Sequence, residues 1–404
     1  MLLYLFCNKS HYENVPFEIP ESWVLSDFSE LVTLLSGRDL ESNDCNSNRE
    51  GIPYLIGASN IVDGKINITR WTTKPLVISK RGDILISCKG TIGEVVTNVI
   101  GEIHIARQFM AIQTLPMVYA DYIELYIKSI VNNIKRNARG VIPGISREDI
   151  LQREIALPPL EEQKRIVIEV EKWLDYIADI EAEKNELESH IKKTKSTILD
   201  LAISGKLVPQ DPDDEPAIEL LKRINPGFEP CDNSHYENLP QGWTVCKIKD
   251  IFNITMGQSP TGESINGVKG IEFHQGKIHF TESYLSQSGV YTDQPTKIAE
   301  VDSLLLCVRA PVGVLNITQR KICIGRGLCA LKPKYEIDNL YWLFILTAYK
   351  DYFESNATGS TFKAISGDTI KNAVIKLPPL QEQKRILSSI ISLYESLDAI
   401  TAEL

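Results

Sequence analysis

The sequence predicts an α+β protein built as an internal twofold pseudo-repeat, in which two similar strand-rich domains each run into a long helix. Three observations carry this reading. The string LPPLEEQKRI, Leu157 to Ile166, returns as LPPLQEQKRI, Leu377 to Ile386, shifted by 220 positions (377 minus 157). Each copy is followed by apolar residues at alternating spacings of four and three. The text before each copy repeats one order of strand and turn signals. A repeat of this length has to be settled before any single motif is weighed.

The first domain opens at PESW (Pro20 to Trp23), and its counterpart PQGW (Pro240 to Trp243) lies 220 positions on. SHYEN stands just upstream of both, at Ser10 and Ser234. Between Trp23 and Leu157, VTLLSG, IPYLIGASNIVDGKI, KPLVISKRGDILISCKGTIGEVV and HIARQFMAIQ mix β-branched runs with Gly, Asn and Asp turns, the pattern of short strands. A helical patch follows, with Ile123, Tyr126, Ile127, Ile130 and Ile134 on one face. The loop GVIPGIS closes the domain.

In LPPL the prolines impose an extended approach to the helix, and Glu161 and Glu162 then fall in a first turn that favours negative charge. Ile166, Val170, Trp173, Ile177, Ile180, Leu187, Ile191, Ile198 and Leu201 form one narrow stripe, a coiled-coil seam. The spacing predicts a helix from about Glu161 to Ser204, roughly 60 Å long at ~1.5 Å per residue. VPQDPDDEPAIELLKRINPGFEP then reads as a solvated Pro/Asp linker with one short helix. The second domain repeats the first: Lys89 aligns with Arg309, Gly93 with Gly313, Arg107 with Arg326, and Ile145-Ser146 with Ile365-Ser366. The second seam, Ile386, Ile390, Leu393, Leu397, Ile400 and Leu404, is about half as long as the first. The expected divisions are 1–155, 156–230, 231–376 and 377–404.

The composition, 43% apolar and 24% charged over 404 residues, is that of a soluble globular protein with two or three cores. Eight scattered cysteines without a CxxC pair are expected to be reduced and mostly buried, in a cytosolic protein. The apolar start MLLYLFC lacks a basic flank and is too short for a signal peptide, and no window approaches the ~18 apolar residues of a membrane span. A cytoplasmic protein without a membrane partner is expected. The net charge of −10 is uneven. Residues 17–154 hold fifteen Lys/Arg against seventeen Asp/Glu, residues 156–230 ten against seventeen, and residues 231–376 fifteen against fourteen. The acidity sits on the central helix and its tail, so net charge neither supports nor excludes a local basic face of the kind DNA requires.

With these residues assembled, the chain resembles the specificity subunits of type I restriction–modification enzymes. PxxW, GDILIS…KGTIG, VRAPVG followed by CIGRGL, GSTFKAIS, LPPLxEQKRI and LAISGKLVPQDPDDEPA match that family's recurring phrases in order, over nearly the whole length. The resemblance implies two target-recognition domains, each reading one half of a bipartite, asymmetric site in double-stranded DNA. It implies conserved helices that pair antiparallel as a ruler between them. It further implies two adenine-methylating (M) subunits docked on the conserved regions, restriction (R) subunits that complete an ATP-dependent nuclease, and no catalytic centre in this chain. The short second helix, with no helical segment before SHYEN to complete it, departs from that pattern.

The residues themselves agree with a chain that does no chemistry. Both Pro-Pro pairs follow leucine (Leu157, Leu377), not the Asn or Asp of an adenine methyltransferase, and there is no GxGxxG or P-loop. The histidines show no metal or triad spacing, so no cofactor or metal is expected. Arg107 and Arg326 could grip guanine or phosphate, or could tie a loop to the sheet. Lys89 and Arg309 follow short strands beside glycine turns and carry the same two readings. Arg136 and Arg139 precede one small-residue loop, and Ser360, Thr361 and Lys363 lie in its counterpart; such loops suit phosphate contact, which positions without specifying. Tyr54 and Phe273 read as core. Glu162, Gln163 and Arg165, repeated as Glu382, Gln383 and Arg385, are expected on a shared partner surface, with Trp173 and Ile177 in the seam. The competing reading is a non-DNA-binding coiled-coil scaffold with two protein-interaction heads, which a gel shift with the methyltransferase partner would separate.

Overall fold

The structure is a computed structural model, described here over residues 20–137, 144–230, 239–359 and 363–403. The chain divides into two compact units, Met1–Ile180 and Glu181–Leu404. Both follow one plan, and the repeat is legible in the strand register itself.

In the first unit Val24–Asp27 pairs antiparallel with Glu154–Leu157, Val24 opposite Leu157. In the second, Thr244–Lys247 pairs with Val374–Leu377, Thr244 opposite Leu377, each partner 220 positions further on. A four-stranded antiparallel sheet follows in each. Its order is Val32–Ser36, Phe109–Thr114, Ile84–Ser87, Val95–Thr97 in one unit and Phe252–Met256, Leu328–Pro333, Ser303–Cys307, Leu315–Thr318 in the other. A second, mixed sheet holds one parallel pair per unit, with Tyr54 opposite His104 and Phe273 opposite Cys323. Helix α1 (Ala120–Asn137) places Ile123, Ile127 and Ile134, all fully buried, in the core with Ile84, Ile86 and Ile112. The spacing of those isoleucines is that of a helix with one apolar face. The expected helix between the two recognition sequences is α2 (Leu160–Ile203), followed by α3 (Ala217–Ile224). In the second unit α4 (Asn339–Ala348) buries Tyr341 and Trp342, and α5 (Leu380–Ala402) closes the described chain.

A buried glutamine joins each long helix to its sheet. The side chain of Gln163 is sealed from solvent; its amide nitrogen donates to the Pro158 carbonyl (2.8 Å) and its oxygen accepts from the Tyr119 backbone (2.9 Å). Gln383 repeats the first bond on Pro378 (2.8 Å) and accepts from the Tyr335 hydroxyl (2.7 Å). The extended Pro-Pro approach is thereby fixed, and with it the direction in which each helix leaves its head.

Two expectations are corrected. The seam of α2 is not covered along its length: Trp173 (49%), Ile180 (64%) and Leu187 (37%) are open, whereas Ile191 and Ile198 are buried. Helix α5 lies against the later turns only, where Tyr394 donates its hydroxyl to the Lys195 carbonyl (3.0 Å) and Asp398 pairs with the Lys195 ammonium (2.5 Å). The start of α5 meets residues beyond the end of α2 (Glu382 with Gln210, Arg385 with Asp214) and its later turns meet Lys195 within α2, so the two helices run antiparallel. Of the Pro/Asp stretch, expected to be a solvated linker, Asp211 to Asp213, Glu215 and Pro216 are exposed, but Asp214 and the short helix after it are packed. Ala217, Leu220 and Leu221 are buried, and Asp214 forms an ion pair with Arg385 (2.6 Å). A carboxylate with a guanidinium within reach forgoes hydration without being left unpaired.

The second unit also holds a buried charge cluster. Glu272 accepts from Arg320, from the Ser288 backbone (2.7 Å) and from His274 (2.9 Å), while Arg320 binds the carbonyls of Leu285 (2.9 Å) and Ser286 (2.8 Å). Burial works to raise the Glu272 carboxyl, but the hydrogen bonds from Arg320, Ser288 and His274 outweigh it and hold the group down at about 2. Burial lowers the His274 imidazole, partly opposed by Glu272. The segment 285–288 is thus tied to the sheet by charge as well as by the buried side chain of Leu285, which packs with Ile322 and Ile324.

Two substitutions test these anchors. Gln383→Leu leaves the Pro378 carbonyl and the Tyr335 hydroxyl without their partners and should cost about 2 kcal/mol in chemical denaturation; a loss below ~0.5 kcal/mol would mean that the amide does not hold the helix. Glu272→Ala should cost about 3 kcal/mol near neutral pH, because it strands a partly buried guanidinium. Since the folded carboxyl lies below its ordinary 4.5, its stabilisation is full above that value and drains as pH falls toward 2. The gap between wild type and variant in melts at stepped pH should therefore narrow over that window.

Candidate nucleic-acid interface

At one corner of each unit, three loops are laced together by backbone hydrogen bonds. In the first unit Gly37 donates to Phe109 (3.0 Å), Arg38 to Ile105 (3.0 Å), Cys88 to Gln108 (2.7 Å), and Ile145 to Cys88 (2.9 Å). The second repeats them: Gly257 to Leu328 (2.9 Å), Gln258 to Ile324 (3.0 Å), Val308 to Gly327 (3.0 Å), and Ile365 to Val308 (3.0 Å). Lys89 bridges Gly144 just as Arg309 bridges Ala364. The glycines are required by close approach: a Cβ on Gly37 or Gly257 would lie 2.1 Å from the carbonyl oxygen of Ala106 or Gly325. Any side chain there would push away the turn that carries Arg107 or Arg326.

The frame is shared and its lining is not. In the second unit the corner encloses a concavity of about 200 Å³, around which Lys277, Arg309 and Arg326 converge with Gln275 and Gly327, and no carboxylate lines it. In the first unit the position of Lys277 is taken by Ala58, and that of Gly327 by Gln108. The Gln108 amide lies over both glycine turns, 2.6 Å from where a Cβ on Gly57 would stand and 3.6 Å from one on Gly90. Arg107 is tied down by Asp39, whose carboxylate accepts from the Arg107 guanidinium (2.6 Å) and backbone (3.1 Å). At the matching place Ser259 accepts only the Arg326 backbone (3.4 Å), which leaves that guanidinium to the concavity. The first corner is thus polar and partly neutralised, the second open and cationic.

Of the residues singled out from sequence, Lys89, Arg107, Arg309 and Arg326 are brought to these corners. Lys363 joins them through its carbonyl, which accepts from the Ala310 backbone (3.2 Å), and its side chain is exposed. Arg136 is exposed in the last turn of α1. Arg139, Ser360 and Thr361 lie outside the described residues. Tyr54 and Phe273 are core, as expected. Sequence reasoning missed Lys277, Gln108 and the Asp39/Ser259 pair. The same 220-residue comparison could have found them, through positions that differ while their neighbours match.

The structure divides the residues expected on the partner surface. Gln163, Glu382 and Gln383 are buried inside their own units, and Arg385 is engaged by Asp214. The likeness of Gln163 and Gln383 reflects a repeated internal joint. Glu162 is half-buried, Arg165 and Trp173 are exposed, and Ile177 is partly covered. Among the described residues no group of His, Cys, Asp and Glu is placed to hold a metal ion, and no helix is long and apolar enough to cross a membrane. The six described cysteines form no disulfide with one another.

Comparison with known proteins agrees with this architecture. The chain is 28% identical, over 91% of its length and 86% of the relative's, to a candidate type I restriction enzyme MjaX specificity subunit of Methanocaldococcus jannaschii. It is 24% identical to the type I restriction enzyme EcoKI specificity subunit of Escherichia coli K12, over 95% of this chain and 84% of that one. Among solved structures, the HsdS subunit from Thermoanaerobacter tengcongensis superposes with a TM-score of 0.60 at 23% identity, covering 96% of this chain and 93% of that one. A chain from a study of assembly and conformational transition in the type I R-M system reaches 0.74 at 23% identity, covering 96% and 94%. The model of the type I restriction modification DNA specificity domain matches twice, over residues 20–189 and 240–404, and the chain belongs to that family.

Proposed function

We propose that this chain is the non-catalytic reader of a type I restriction–modification complex. Residues 1–155 and 231–376 are its two recognition domains, and 156–230 and 377–404 its spacer. It recognises a bipartite, asymmetric site in double-stranded DNA and positions two adenine methyltransferase subunits and the restriction subunits, in the cytoplasm. Family membership supports the class of function. The observation that carries the mechanism is that one backbone frame appears twice with different side chains at the same corner. Two identical sites would read a symmetric sequence; two frames relined by Lys277 or Ala58, Gly327 or Gln108, and Ser259 or Asp39 suit an asymmetric one.

Each head has a division of labour. Backbone and small-residue loops, with Arg136 and Arg139 beside one and Ser360, Thr361 and Lys363 in the other, grip phosphate and set the register. The corner residues reach base edges. Arg309 and Arg326 suit a guanine, since a guanidinium donates bidentately to O6 and N7, and Gln108 suits an adenine edge. Methyltransferase subunits then flip and methylate an adenine in each half-site.

Arg326→Ala should weaken binding of the assembled methyltransferase to its site by about 1–3 kcal/mol and relax the sequence read by the second head alone. Lys363→Ala should weaken specific and nonspecific DNA alike and flatten the salt dependence by about one unit of slope. Gel shifts over a salt series, with methylation-aware sequencing, separate the two. Equal loss on every sequence for Arg326→Ala would remove it from the base readers.

A further inference from the structure

In the second unit one aliphatic side chain stands bare beside the cationic corner. Ile278 is 85% exposed and directly follows Lys277, which lines the concavity with Arg309 and Arg326. It sits in a single 3-10 turn, Lys277–His279. The same turn in the first unit, Ala58–Asn60, carries an exposed Ser59 at that place. An exposed isoleucine is ordinary in itself. Its position and the way its turn is held are what set this one apart.

The turn is fixed from several sides. The Phe280 backbone donates to the Lys277 carbonyl (2.8 Å), and the His279 carbonyl accepts from the Ser286 backbone (3.0 Å) and hydroxyl (2.9 Å). The Ser286 carbonyl is in turn gripped by Arg320 (2.8 Å). The His274 ring lies 5.5 Å from that of His279 and perpendicular to it, with its own Nε2 bonded to Glu272 (2.9 Å). The buried charge cluster of this unit therefore ends at the turn that carries Ile278, and the side chain is presented rather than merely left outside. Val268 is barer still, at 91%, but it lies on a different loop, none of whose residues lines the concavity.

We propose, resting on the reading of this corner as DNA-facing, that Ile278 is a specificity-determining residue of the second head and reads a thymine through its C5-methyl group in the major groove. The chemistry selects this occupant. Lys277, Arg309 and Arg326, with no carboxylate among the lining residues to oppose them, draw the duplex to the corner. An aliphatic side chain brought against a base edge either strips water from polar groups without replacing their hydrogen bonds, which costs free energy, or meets an apolar group. In the major groove the thymine methyl is the apolar group that a base pair offers. Ser59 presents a hydroxyl there instead, which bonds donors and acceptors alike. The two heads thus differ at this turn as they differ in the lining of the corner.

The test uses the full chain assembled with its methyltransferase subunits, and a duplex carrying the site found by methylation-aware sequencing. Each thymine of that site is replaced in turn by deoxyuridine, which removes the methyl group and nothing else. Gel shifts then compare the native chain with Ile278→Ala and with Val268→Ala as a control. At one position the native complex should lose about fourfold in affinity, the worth of one buried methyl group. Ile278→Ala should lose about as much on the thymine duplex and should no longer distinguish thymine from deoxyuridine at that position, since both changes remove one contact and do not add. Val268→Ala should match the native chain throughout, and unchanged melting of both variants would show that the fold is kept. A site without thymine, a native complex indifferent to every deoxyuridine, or a methyl preference that survives Ile278→Ala would each overturn the assignment while leaving the chain a DNA reader. A complex that bound all sequences alike would overturn that reading, and the assignment with it.

Discussion

A buried amide at the head of each long helix, Gln163 in one unit and Gln383 in the other, is the joint on which both halves of this protein depend. It bonds the carbonyl of the first proline in LPP and, through its other atom, an element of the domain behind it. Proline fixes the approach, and the glutamine fixes what the approach is attached to. Without that joint, a reading head and its spacer would be two bodies on a swivel. The strands that flank it, Val24–Asp27 with Glu154–Leu157 and Thr244–Lys247 with Val374–Leu377, are paired in the same register in both units. A repeated frame can present different chemistry at a repeated place only if the frame itself does not drift.

The corners illustrate how little has to change. Gly37 and Gly257 meet the same backbone at the same distance, and the same carbonyls receive the same donors. On that constant lattice, a serine in place of an aspartate leaves an arginine free of its carboxylate, and a glycine in place of a glutamine opens a concavity. A lysine in place of an alanine then puts a third cation beside it. Of the three positions in the first unit only Ala58 is buried, while Asp39 is exposed and Gln108 half-buried, so most of the relining lies outside the core.

Much of the fold was legible in the sequence because the repeat was. The 220-residue offset matched strand to strand, and proline, glutamate and period marked where the long helix begins. Burial of particular residues was less legible. Glu382 and Gln383 lie beside Lys384 and Arg385 and look like a solvated face, yet the first two are sealed inside the second unit. The period of a seam says that a helix has an apolar face but not what covers it: Ile191 and Ile198 are buried, Trp173 and Ile180 exposed. The concavity was hidden for a different reason: Lys277, Arg309 and Arg326 come from three separate loops, and only the sheet brings them together.

The central claim is that two heads on one frame read independently, through the residues that differ at the shared corner. Its most direct test is a graft: Asp39→Ser, Ala58→Lys and Gln108→Gly, made together, give the first corner the lining of the second. The measurement is methylation-aware sequencing of DNA modified by the complex assembled on this variant. The account predicts that the half-site read by the first unit changes toward that read by the second, while the second half-site stays as it was. An active complex that modifies the original bipartite sequence unchanged, or one in which both half-sites change, would contradict it.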